Sequence, residues 1–273
     1  MTIDADAFNA FEAAGWERSA DGYDEFFAPV TGRVVDALLD AAAVGSGTRL
    51  LDLATGPGYV AGRAVTRGAD VVGVDVSDAM LQIARRRVPS ARFEPGDIEE
   101  LPFADASFEA VVGNFAILHV GRPEQVAAEA VRVLAHGGRV GLTAWDLPEH
   151  ARIFGVFVDA VAAVGAAPTD DIPVGPNFFR FSDDDEFAAL LRGASIESVE
   201  VRTLEFTHVV PSSDALWEGM LGGTVRTRAL VLGQSPEDQR RIRAAFEALV
   251  EPYRTDSGLE LAVSVKLAHG ARA

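Results

Sequence analysis

The chain has 273 residues, 48% of them hydrophobic, enough to bury a substantial core in one large domain or two smaller ones. Its 41 acidic and 24 basic side chains leave a net charge of −17, which argues against a nucleic-acid partner, because phosphate binding depends on clustered Lys and Arg that release counterions. No cysteine is present, so disulfides, thiolate nucleophiles and cysteine-held metals are excluded together.

The first ten residues are acidic and lack the basic and apolar regions of a signal peptide. No run reaches the roughly 18 apolar residues that a membrane helix needs. Neither export nor membrane insertion is expected, and the chain is placed in the cytoplasm. Residues 7–43 read as helices carrying Phe8, Phe11, Trp16, Tyr23, Phe26 and Phe27, with Val34, Val35, Leu38 and Leu39 on one helical face. These rings either pack on a sheet or form a lid that sets Trp16 or Tyr23 over a ligand.

From Thr48 the pattern alternates. Arg49–Ala54, Asp70–Asp75, Arg92–Glu94, Phe108–Asn114 and Arg139–Ala144 read as strands. Tyr59–Arg67, Asp78–Arg87 and Pro123–Leu134 read as the helices between them, the second with Ser77 as N-cap and Arg85-Arg86-Arg87 at its end. Alternation at this spacing predicts a parallel sheet with right-handed crossovers. After Trp145 come a helix over 151–164, a Pro/Gly/Asp-rich loop over 166–185, a helix over 186–191 and a strand over 198–210. Helices over 213–221, 225–232 and 236–250 then precede a last strand over 259–267.

The densest signal is Arg49-Leu50-Leu51-Asp52-Leu53-Ala54-Thr55-Gly56-Pro57-Gly58-Tyr59-Val60-Ala61. An apolar strand ending in acid runs into a glycine turn that opens a helix, which is where an open α/β sheet holds its ligand. Gly56-x-Gly58-x-x-Ala61, followed by Asp75, also fits a dinucleotide fingerprint. Three features turn away from that fit. Pro57 removes a backbone donor, and Asp52 repels a diphosphate while suiting a cationic ligand. The Tyr-x-x-x-Lys pair of many dehydrogenases cannot be built, since Lys266 is the only lysine and Ala262 lies four residues before it.

The chain resembles the class I S-adenosylmethionine-dependent methyltransferases, in particular the bacterial small-molecule branch related to the quinone-biosynthesis C-methyltransferases. The resemblance runs in order through Leu51–Gly58, Val72-Gly73-Val74-Asp75-Val76-Ser77-Asp78-Ala79-Met80-Leu81 and Gly96-Asp97-Ile98-Glu99-Glu100-Leu101-Pro102-Phe103. It continues through Ser107–Val112 and Leu118-His119 to Glu129-x-x-Arg132-Val133-Leu134-x-x-Gly137-Gly138, with Trp16-x-x-x-Ala20-x-x-Tyr23 upstream. Ala54 departs from the pattern, standing where the family usually has its first glycine. Beyond about Trp145 the resemblance becomes generic.

That resemblance implies S-adenosylmethionine as cofactor. Asp52, Thr55, Gly56 and Gly58 would surround its methionine part, with Asp52 on the ammonium, and Asp75 would accept from both ribose hydroxyls. Val76 and Met80 would pack on the adenine, and Asp97 with Ile98 would read its edge. Asn114 and Phe115 would line the floor near the sulfonium, and Tyr23 joins the cofactor's contacts. His119 is a candidate proton acceptor or a structural histidine bonded to backbone. His136, His150, His208 and His269 show no metal spacing, and no metal is expected. For the methyl acceptor the candidates are Trp16, Trp145, Phe178, Phe179, Arg180, Trp217 and Arg226, with either arginine alternatively pairing with a surface acid.

The expected architecture is a Rossmann-like, seven-stranded, mostly parallel sheet with helices on both faces. A helical N-terminal lid (1–45) precedes the cofactor-binding core (46–147). A substrate cap with a late strand (148–257) and the last strand and tail (258–273) complete one domain. The expected reaction is in-line transfer of a methyl group to a small, hydrophobic metabolite, with alignment and exclusion of water as the protein's contribution. The alternatives are cyclisation or rearrangement beside a bound cofactor, and non-catalytic ligand binding. Oligomeric state stays open, a homodimer included.

Overall fold

The computed structural model describes residues 3–273. Five strands run parallel: β1 (Arg49–Leu53), β2 (Asp70–Asp75), β3 (Arg92–Pro95), β4 (Phe108–Asn114) and β5 (Leu134–Trp145). β1 is buried from Leu50 to Leu53 because it lies between β2 and β4 with both faces covered, as its unbroken apolar run requires. Three further strands follow, β6 (Ile196–Val210), β7 (Arg254–Thr255) and β8 (Gly258–Arg272). The sheet order is β3-β2-β1-β4-β5-β8-β6, with β8 antiparallel to both neighbours. That path carries the seven expected strands, and the two-residue β7 pairs with the start of β8 as an eighth.

The strand order reverses between β1 and β4. The crevice beyond their carboxyl ends is therefore the switch point at which open α/β sheets take ligands.

The helices are α1 (Ala5–Gly22), α2 (Ala28–Thr31), α3 (Val35–Ala41), α4 (Tyr59–Thr66), α5 (Asp78–Arg87) and α6 (Pro123–Val133). Then come α7 (Arg152–Val164), α8 (Asp184–Gly193), α9 (Ser213–Gly223), α10 (Arg226–Leu232) and α11 (Pro236–Val250). One face of the sheet buries Leu38, Val60 and Leu81 of α3, α4 and α5 against Leu50, Val71 and Val112. The other buries Val126, Phe157 and Phe187 of α6, α7 and α8 against Leu51, Val111 and Val140. Between β6 and β8 are inserted α9, α10 and α11, of which α9 and α11 pack on α7 through Phe157, Trp217 and Phe246.

The N-terminal helix owes its place to a stripe that apolar periodicity does not reveal. α1 buries Phe8, Glu12, Gly15 and Ser19, a 4-3-4 spacing in which three of four members are polar or glycine. Its C-terminal end lies backbone to backbone on α9, where a Cβ at Gly22 would sit 2.5 Å from the Gly222 carbonyl oxygen. One turn of π-helix, Tyr23–Phe27, then redirects the chain into α2.

Several boundaries differ from those expected. β5 starts at Leu134 instead of Arg139, pairing with Phe108 before a register shift brings Arg139 opposite Ala110. β6 starts at Ile196 instead of Ser198, which sits at φ 50 inside a bulge. β8 runs to Arg272 instead of Leu267, because Ala268, His269 and Ala271 pair on both sides and Gly270 pairs with β5, and a central position overrides weak strand propensity. Among the described residues no helix is long and apolar enough to cross a membrane, and no group of three acidic or histidine side chains is placed to hold a metal.

Candidate active site

A cavity of about 380 Å³ opens at the switch point. One half is built by the loops after β1 and β2. In the first loop Ala54, Gly56 and Gly58 have φ of 48, 52 and 83°, so the chain turns left-handed three times within five residues. Gly58 is also packed, since a Cβ there would lie 3.1 Å from that of Ala84. Arg87 clamps the loop from outside by donating to the Pro57 carbonyl while pairing with Asp24 at 2.8 Å.

Two carboxylates sit under this loop. Asp52 is 1% exposed and accepts from Thr55 Oγ1 at 2.5 Å. Asp75 is 6% exposed and accepts from the backbone N–H of Gly56 at 2.8 Å and of Ser77 at 2.9 Å. Ser77 caps α5 by accepting from Met80 N–H. Neither aspartate is in an ion pair among the described residues. Burial, opposed by the Thr55 bond and reinforced by Asp75, pushes Asp52 up to about 7. Burial likewise pushes Asp75 up to about 6 against its backbone bonds. Beside Asp75, Val76 is 48% exposed although it lines the cavity, with Met80 buried next to it.

The far half is aromatic. Trp16, Tyr23, Phe27, Phe154, Phe178 and His119 form a closed belt, each ring packed on the next at centroid distances of 4.8 to 6.1 Å. Its floor is Phe115 stacked on Trp145 at 4.1 Å. Phe115 itself is left-handed, at φ 61°. A buried polar chain holds it there: its N–H donates to Thr143 Oγ1, which donates to Asn114 Oδ1, while Asn114 Nδ2 donates to the Thr31 carbonyl. Thr31 Oγ1 in turn meets Tyr23 Oη at 3.1 Å, and burial pushes the Tyr23 phenol up to about 12.

Glu12, 2% exposed, joins the belt to the cap. Its Oε2 lies 2.9 Å from His119 Nδ1 and accepts from Trp16 Nε1 at 3.1 Å, while Oε1 accepts from Arg226 Nε at 2.8 Å. Burial alone would raise its pKa, but His119 and the Arg226 guanidinium together hold it below the usual carboxylate range. Arg226 also donates to the Leu118 carbonyl and lies over the rings of Phe8 and Phe178.

The sequence model of the methyltransferase domain matches residues 51–142. The demethylmenaquinone methyltransferase of Renibacterium salmoninarum is 30% identical over 175 residues, 61% of this chain and 74% of that protein. The ubiquinone/menaquinone biosynthesis C-methyltransferase of Dinoroseobacter shibae is 31% identical over 187 residues, 63% of this chain and 75% of that protein. The chain belongs to the class I S-adenosylmethionine-dependent methyltransferases. The methyltransferase also superposes on the [4+2]-cyclase SpnF with a TM-score of 0.54 at 19% identity, covering 89% of this chain and 82% of the cyclase, a likeness of fold alone.

The cofactor of this family is S-adenosylmethionine, and the β1/β2 half of the cavity fits it. Two buried carboxylates with no ion-pair partner among the described residues, beside the apolar shelf of Val76 and Met80, would suit a ligand that carries an ammonium, a sulfonium and ribose hydroxyls. Of the residues expected from sequence, Trp16, Tyr23, Asp52, Thr55, Gly56, Asp75, Val76, Met80, Asp97, Ile98, Asn114, Phe115, His119, Trp145, Phe178 and Arg226 all line the cavity.

Four do not. Gly58 turns the loop behind the cavity and faces Ala84. Phe179 lies outside, against the back of Phe178. Arg180 pairs with Glu124 at 2.6 Å and Glu186 at 3.0 Å, a surface ion pair and not a ligand contact. Trp217 belongs to the cap's own core, stacked on Phe157 and covered by Arg243. Arg226 meets a buried acid, where pairing with a surface one was the alternative to a ligand contact.

Sequence reasoning passed over Glu12, Thr31, Thr143 and Phe154, and it named Phe27 only as one of the N-terminal rings. The usable signal for Glu12 was its position four residues before Trp16, on the face that also carries Phe8.

Proposed function

We propose that this methyltransferase acts on a small, mostly apolar acceptor held by the aromatic belt. The carrying observation is a single cavity that joins two unpaired buried carboxylates to six aromatic rings. Relatives named for demethylmenaquinone support a hydrophobic acceptor, and being bacterial they support a bacterial enzyme. The bound cofactor supplies an already activated methyl group. Asp52 would meet its ammonium, with Thr55 and Gly56 beside it, and Asp75 its ribose hydroxyls. Val76 and Met80 would cover the adenine, with Asp97 and Ile98 at its edge. Asn114, Phe115 and Tyr23 would border the reacting centre, and Trp16, Trp145, Phe178 and Arg226 the acceptor.

The N-terminal helical segment from α1 to residue 45 would act as a lid, with α1 latched at both halves. Glu12 reaches the acceptor side, and Glu17 accepts from Ser77 Oγ at 2.7 Å and Ala79 N–H at 3.1 Å at the start of α5. Closing such a lid excludes water and fixes the approach of the acceptor. His119 would take the acceptor's proton. Incubation with methyl-labelled cofactor and a panel of phenols, quinones and polyketides tests this reading. Labelled product with equimolar S-adenosylhomocysteine is expected. Cofactor binding without transfer to any apolar acceptor would favour rearrangement or simple binding.

A further inference from the structure

Among the cavity-lining acids Glu12 is the one that comes from the N-terminal helix, and each of its recorded side-chain contacts is with a nitrogen: His119 Nδ1, Trp16 Nε1 and Arg226 Nε. Because Arg226 lies 2.8 Å away, the carboxylate stays ionised at neutral pH and can only accept. A neutral imidazole beside an acceptor must carry its hydrogen on the facing nitrogen, here Nδ1. The lone pair is then on Nε2, which has no partner among the described residues, on a ring that lines the cavity and is 25% exposed. Trp16, nearly perpendicular at a centroid distance of 4.8 Å, and Phe178 at 5.9 Å pack against the imidazole.

We infer that Glu12 is a positioning residue that locks His119 in the Nδ1–H tautomer, so that Nε2 faces the acceptor as a proton acceptor. The inference rests on the reading of the cavity as a methyl-transfer site and adds the device that prepares its base. When an acceptor hydroxyl gives its proton to Nε2, the electron pair of the O–H bond stays on oxygen and the ring becomes an imidazolium. Its charge is met by Glu12 at 2.9 Å, and the proton passes to water after release. Because α1 carries Glu12 while the loop after β4 carries His119, the base is complete only with the helix docked.

The test is the nitrogen spectrum of His119 in uniformly ¹⁵N-labelled full-length protein saturated with S-adenosylhomocysteine at pH 8, assigned by its loss in His119→Gln. The wild type is expected to show a pyrrole-type Nδ1 and a pyridine-type Nε2. Glu12→Gln, which keeps the shape but can donate as well as accept, is expected to average the two shifts. Calorimetry on the same samples reports S-adenosylhomocysteine binding separately. Binding with His119 as the Nε2–H tautomer in the wild type overturns the inference alone, as does a Glu12→Gln spectrum that matches the wild type. Absence of binding overturns the underlying reading as well. The wild-type spectrum decides the tautomer even if Glu12→Gln fails to fold.

Discussion

At the ends of β1 and β2 the protein buries two carboxylates with no cation beside them, whereas around His119 it buries one carboxylate against an arginine and an imidazole. The consequences run in opposite directions: burial lifts Asp52 to about 7 and Asp75 to about 6, while Glu12 is held below its ordinary range. Unmet negative charge invites a cationic, hydroxyl-bearing ligand, which supplies the missing partners. Charge met within the protein leaves the other half neutral and apolar, fit for a ring system. The same kind of residue thus does two jobs, set by whether a partner comes from the chain or from the ligand.

The largest effect expected from breaking this contrast is at Arg226. Arg226→Met keeps the apolar stem but strands Glu12, which is 2% exposed, and should cost on the order of 3 kcal/mol of stability in urea unfolding at pH 7.5. A loss below about 0.5 kcal/mol, the range of a surface pair, would show that the Glu12 charge is not buried in solution. Next comes Asp75→Ala, which leaves the acceptor half intact and removes a charged hydrogen-bond acceptor. Cofactor affinity measured by calorimetry should fall by about 1.5–3 kcal/mol, or roughly 10- to 150-fold, and unchanged affinity would take Asp75 out of the site.

The smallest effect concerns the loop. Ala54 sits at φ 48° where glycine is the family's habit. Relief of about 1 kcal/mol of left-handed strain in Ala54→Gly is largely offset by the extra freedom of glycine in the unfolded chain. A net shift within about 1 kcal/mol in thermal unfolding is expected, and a clear destabilisation would mean that the methyl group of Ala54 is packed for a purpose.

Much of the cofactor half was legible because its determinants are local. Asp52, the glycine turn, Asp75 and Ser77 each lie at a strand end or helix start, and the parallel topology places those ends together. The polar hub of the acceptor half was not, because it joins Glu12 of α1 to His119 after β4 and Arg226 of α10, which lie 107 and 214 residues from Glu12 in sequence. Nothing within a sequence window pairs Glu12 with Arg226. Phe154, inside an apolar helix, carried no signal that sets it apart from core, and Trp217 read as a ligand contact because a large ring in a cap has two destinations, of which the cap's own core won. The end of β8 was placed too early because the small residues Ala268, Gly270 and Ala271 gain strand structure from the neighbouring strands β5 and β6.

The contrast between the halves predicts a proton signature. A folded-state pKa above the unfolded one means that the ligand-free fold binds Asp52 and Asp75 protons more tightly, so those groups lower stability as pH rises from about 4 to about 7. A cationic ligand favours the ionised forms and must drive those protons off. Calorimetric titration of S-adenosylmethionine at pH 6, in two buffers of different ionisation enthalpy, reads this directly. Proton release is expected at pH 6, fading above about pH 7.5, with affinity rising between pH 5.5 and 7.5. Proton uptake, or an affinity flat across that range, would contradict the assignment of the cofactor to the two unpaired carboxylates.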